Sequence, residues 1–154
     1  MIEQHRFRFI PLVAMLGMLV GCGSPDSASE YATIEVNQPC GEKPNCVSTV
    51  DTREAHNLAP FELSHKGLEQ WEHIEQLALS LPGASLATKK DDYFRVECTS
   101  KIFRFVDDFE VRKQANQLIV RSESRTGYSD FGVNRDRADS FRVMLEKEGY
   151  LTLN

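Results

Sequence analysis

The chain has 154 residues, 41% of them hydrophobic and 27% charged. That length and balance fit one domain with a real core and exclude a disordered chain. The formal net charge of −5 argues against nucleic acid as a partner, because a polyanion is bound by a basic surface.

The N-terminal end reads as an export signal. Arg6 and Arg8, with His5 beside them, precede an uncharged run from Phe9 to Val20. The run is too short to span a bilayer, which takes about 20 residues, and suits the apolar core of a signal peptide. It ends in Leu19-Val20-Gly21-Cys22, which resembles a lipobox, the site where a lipoprotein signal peptidase cuts before cysteine. Residues 1–21 are therefore expected to be removed, taking Glu3, Arg6 and Arg8 with them and leaving a more acidic chain. The Cys22 thiol would then carry the lipid, and two or three acyl chains hold a protein on a membrane where one does not. Residues 22–38 are assigned to the lipidated cysteine and a flexible tether, on the small and polar run Gly23–Glu30. Residues 39–154 are assigned to a single domain. The expected location is the bacterial cell envelope. Gly23 rather than Asp resembles lipoproteins sent to the outer membrane, there facing the periplasm.

Three further cysteines remain, Cys40, Cys46 and Cys98. Export implies an oxidising compartment, where three thiols form one bridge and leave one over. A structural bridge involving Cys46 is expected, either to Cys40 across CGEKPNC or to Cys98. No Cys-x-x-Cys or zinc-type histidine spacing is present, so neither a metal nor another cofactor is expected.

Residues 31–65 show no periodicity and are expected to lie as an irregular segment across the domain. Over 66–81, Leu68, Trp71, Ile74, Leu77, Ala78 and Leu81 fall on one helical stripe. Ser64 is the expected N-cap, Pro82-Gly83 the stop and Trp71 a core residue. The period then changes to two. Phe94, Val96 and Cys98, then Phe109 and Val111, then Leu118 and Val120 alternate with polar neighbours, as half-buried antiparallel strands do. Ser85–Thr88 is read as a leading strand, with a turn at residues 89–92 and a hairpin turn at Ala115-Asn116-Gln117. Asn134–Glu148 closes the chain as a helix with Asn134 as N-cap, Ala138, Phe141, Met144 and Leu145 as its buried stripe, and Gly149 at C′. The predicted fold is α+β: an antiparallel sheet of three to four strands, two helices on one face, and an irregular N-terminal extension.

The other sheet face carries Arg95, Glu97, Asp108, Glu110, Arg112, Arg121, Glu123 and Arg125 and is expected to be solvated, with cross-strand ion pairs. Two segments stand out against that background. Asp107 and Asp108 follow an aromatic run, and the polar stretch 122–135 feeds a helix start, where free N–H groups suit an anion and Arg125 and Arg135 would reinforce it.

PNCVST, FRFVDDFEVR and VRSESRTGYSDFGVNRDR resemble the signature blocks of the Domain of Unknown Function family 1499, over about residues 39–148. The matching positions are Asn45, Cys46, Ser48, Asp107, Asp108, Arg121, Ser124, Arg125, Gly127, Asp130, Gly132, Asn134 and Arg135. The resemblance implies an exported or membrane-linked protein and carries no activity. The leading expectation is a non-enzymatic lipoprotein domain, anchored through Cys22, that binds an envelope protein or an anionic ligand through Asp107, Asp108, Arg125, Tyr128, Asp130, Asn134 and Arg135. One alternative is a metal-dependent or other hydrolase, with Asp107, Asp108 and Asp130 converging on a hard cation. Adjacent Asp107 and Asp108 on a strand would point to opposite faces, which weighs against it. The other alternative is a scaffold, with Asp107 and Asp108 paired to Arg125 and Arg135.

Overall fold

The computed structural model describes residues 35–152, so the expected signal peptide, Cys22 and most of the expected tether lie outside the described residues. No described helix is long and apolar enough to cross a membrane.

The strands β4 (Tyr93–Thr99), β5 (Val106–Gln114) and β6 (Gln117–Ser124) lie where the alternation places them, and β3 (Ala84–Lys89) stands at the place of the expected leading strand. They form an antiparallel meander, with Phe94 opposite Val111 and Val111 opposite Val120. Ala115-Asn116 is the hairpin turn, with Ala115 at φ 52°; Gln117 already belongs to β6. Among the described residues the sheet has six strands, however, not three or four. β1 (Cys46–Ser48) and β2 (Phe61–Glu62) both pair along the free edge of β6, so the stretch expected to be irregular supplies that edge. Strands of three and two residues are too short to show a period.

Among the described residues three helices replace the expected two. The stripe over 66–81 is split into α1 (His65–Leu68) and α2 (Trp71–Leu79). Ser64 caps α1 by accepting from the Gly67 N–H. The break leaves Trp71, Ile74 and Ala78 on the sheet, so the stripe continues in space although the helix does not. The last helix, α3, runs Val133–Lys147. Phe141 anchors it, its ring 5.2 Å edge-on from Phe109 and 6.2 Å from Phe61. Together with Phe94, Val96, Val111, Leu118 and Val120 these side chains make the main core.

The opposite face departs most from expectation. Arg95, Glu110 and Arg121 are buried rather than solvated. Residues 35–38, assigned above to the tether, lie over this face as a strap. Val36 is fully buried against Tyr93 and Ile119, the Glu35 N–H donates to Glu110 Oε1 at 3.3 Å, and Arg121 donates to the Gln38 carbonyl at 2.8 Å. Apolar Ile119 and Tyr93 among the charges give the strap its seat.

Candidate functional site

Parity along the strands decides which signature residues meet. Asp107 shares the helix-side parity of Phe109 and Val111, and Ser122 and Ser124 that of Leu118 and Val120. All three therefore face α3, beyond the end of the apolar core. Asn134 sits in the first turn of α3, fully buried. Its amide group donates to the Asn45 carbonyl and to Ser124 Oγ, each at 2.9 Å, and its Oδ1 accepts from Ser122 Oγ at 2.7 Å. Arg137, one turn on, donates to Asn134 Oδ1 at 2.6 Å, to Ser122 Oγ at 2.9 Å and to Asp107 Oδ2 at 2.6 Å. Asn45 closes the set by donating to the carbonyls of Ser124 and Gly127. One buried network thus ties β1, β5, β6 and α3 together.

Asn134 is therefore not the N-cap; Gly132 is, in the left-handed conformation at φ 88°. Asp130 does the capping, accepting from the Gly132 N–H at 3.0 Å and the Asn134 N–H at 2.7 Å. The helix start expected to hold an anion already has a carboxylate of its own chain on its amides.

Asp108 points the other way. It accepts from Arg125 through two hydrogen bonds of 2.7 and 2.8 Å, and Arg125 also donates to Glu97. These carboxylates hold the Arg125 guanidinium firmly charged, its pKa above the ordinary value. Arg95 Nε lies 3.6 Å from Asp108. The expected pairing of Asp107 and Asp108 with Arg125 and Arg135 is thus half corrected: Asp107 takes Arg137, and Arg135 turns to the carbonyls of Asn57 and Ala55. Asp107, Asp108 and Asp130 serve three different partners and do not converge. Among the described residues no group of three or more His, Cys, Asp or Glu side chains is placed to hold a metal ion.

Two residues of this site were not singled out in the sequence. Ser122 lies within VRSESRTGYSDFGVNRDR, and its strand parity turns it toward the helices. Arg137 lies three residues after Asn134, on the same helix face.

The bridge forms between Cys40 and Cys46, and Cys98 is a buried free thiol. Burial pushes the Cys98 thiol up, which keeps it protonated and unreactive. The bridged loop is pinned by Asp51, which accepts from the Cys40 N–H at 2.9 Å and from Arg53 at 2.7 Å. Between this loop and the start of α3 lies a cleft of about 240 Å³, bordered by Pro44, Val47, Ala55, Ser129 and Arg135. Tyr128 is 73% exposed on the loop before α3.

A family model described as Protein of unknown function (DUF1499) matches residues 38–145. No curated protein matches the chain, and no solved structure matches it.

Proposed function

The chain belongs to the DUF1499 family of proteins of unknown function, and from that premise we propose that it is a lipid-anchored, non-enzymatic interaction module of the bacterial cell envelope. The observation that carries the reading is how the family-signature side chains are used. Asp107, Asn134, Ser124 and Asn45 are engaged with one another and with Arg137, Asp108 with Arg125, and Asp130 with the backbone of α3. A nucleophile or a general base needs a lone pair within reach of a substrate. In this site those lone pairs already accept hydrogen bonds that hold the frame. The signature reads as the joint that sets α3 and its preceding loop on the sheet, and the loop surface is left to meet a partner. The anchor rests on the Leu19-Val20-Gly21-Cys22 sequence.

Acylation tests the anchor directly. Cells expressing the chain and fed labelled palmitate are expected to yield a labelled, membrane-bound protein, and Cys22→Ser is expected to abolish the label. A labelled Cys22→Ser chain, or an unlabelled wild type, would remove the anchor from the proposal.

A further inference from the structure

We infer that the end of the sheet formed by the β4–β5 and β6–α3 loops inserts into an anionic bilayer surface, as a second membrane contact beside the acyl anchor. The inference rests on the lipoprotein reading above and adds a surface to it.

Both loops leave the same end of the sheet. Asp107 pairs with Ser124, the Arg125 N–H donates to the Val106 carbonyl at 3.3 Å, and the Ser100 N–H donates to the Phe105 carbonyl at 2.8 Å. Their tips hold most of the large apolar side chains that the described fold leaves in water. Phe131 is 95% exposed, Ile102 83%, and Phe103 and Tyr128 73% each, with Phe105 and Val133 beside them. Phe103 and Phe105 stack on each other at 5.7 Å and on no core residue. Arg104 and Phe131 hold left-handed backbone at φ 58° and 56°, a conformation that non-glycine residues adopt at a cost.

The chemistry selects a lipid surface over a protein. Lys101 and Arg104 are exposed and alternate with Ile102, Phe103 and Phe105, so the tip is basic and aromatic on a chain of net charge −5. Aromatic rings lie at the headgroup boundary, and Lys and Arg beside them meet lipid phosphates. The reach also suits: the stretch from Cys22 to Glu35 spans at most about 45 Å. Glu35 lies against Glu110, roughly 13 Å along β5 from the tip.

The test uses the full acylated chain in vesicles of phosphatidylethanolamine and phosphatidylglycerol, 3:1, with and without brominated acyl chains. Trp71 is the native tryptophan and is buried, so the wild type gives the background. Phe103→Trp and Phe131→Trp are expected to lose roughly half of their added emission to bromine, as rings at the acyl boundary do. Val143→Trp, exposed on α3 about 15 Å further along that helix, is expected to lose little. Lys101→Glu with Arg104→Glu should cut the quenching at position 131 severalfold. A chain that floats with the vesicles while positions 103 and 131 are quenched no more than 143 keeps its anchor and overturns the insertion. A chain that does not float removes both. Quenching-free blue shifts together with a dimer in crosslinking would place the tip in a second copy, and would overturn the inference equally.

Discussion

At the scale of single residues, Asn134 carries the most. It is a fully buried amide whose donors and acceptor are all spent, on Asn45 just before β1, on β6 and on its own helix. Truncating it takes the Asn134 donor from Ser124 Oγ, and one hydrogen bond each from the Asn45 carbonyl, Ser122 Oγ and Arg137, which keep the Ser124 N–H, each other and Asp107 as partners. Asn134→Ala is expected to cost about 3 kcal/mol in a urea titration. Asp107→Asn is expected to cost about 3 kcal/mol as well, because it leaves the Arg137 guanidinium largely buried with no opposite charge. The two losses should fall short of additive in the double variant, since both run through Arg137. Additive losses would mean that the network is two independent contacts. The sequence made Asp107 and Asn134 visible as signature residues but not as partners, because the pairing runs between a strand and a helix. Neither Asp107 nor Asp108 pairs with Arg135, for the same reason. On α3, position 137 faces the sheet and 135 faces the 55–57 loop.

At the scale of elements, the period-two runs located β4, β5 and β6 because each has one face on the helices and each is long enough to repeat. β1 and β2 escaped because a pair needs only three or two residues once β6 offers a free edge. The break between α1 and α2 escaped because an apolar stripe constrains where side chains point, not whether the backbone between them is continuous. The charged face was misjudged for a different reason. Alternation distinguishes the two faces of a sheet but says nothing about what lies on top of either. What covers this one is the strap of residues 35–38, held by Val36 and by hydrogen bonds to Glu110 and Arg121. Burial and the neighbouring charge of Glu110 push the Tyr93 hydroxyl up. Val36→Asp is expected to lift the strap at a cost of about 2 kcal/mol. Hydrogen exchange should then quicken at the exposed part of β5 and β6, and the Tyr93 hydroxyl should ionise at lower pH. Unchanged exchange would show that the strap stays seated without Val36.

At the scale of the whole molecule, two buried carboxylates set opposite slopes on stability against pH. The Arg53 guanidinium beside Asp51 holds that carboxyl well below the usual range. Its contribution is present above the unfolded value near 4 and is lost as the pH falls toward the folded one. Glu110 runs the other way. Burial pushes its carboxyl up, so its contribution is full below the unfolded value and is lost as the pH rises through the folded one. Thermal unfolding from pH 3 to 8 should therefore show a maximum on the acid side of neutrality. Glu110→Gln should raise the melting temperature at pH 7 and flatten that limb, leaving the acid limb to Asp51. A neutral limb that keeps its slope in Glu110→Gln would assign it to another group.

The strap also decides how this domain would answer a mechanical load. A pull on the N-terminal side of residue 35 meets the strap before it meets any strand of the sheet. Val36 and the hydrogen bonds at Glu35 and Gln38 are side by side on the face and can be peeled one after another. Peeling then stops, because Cys40 is covalently joined to Cys46 at the head of β1. From there the force passes into the ladder of Cys46, Val47 and Ser48 against Glu123, Ser122 and Arg121. Tugging would thus release a few residues of slack cheaply and then come up hard against the sheet, with the helices and the aromatic loops still in place.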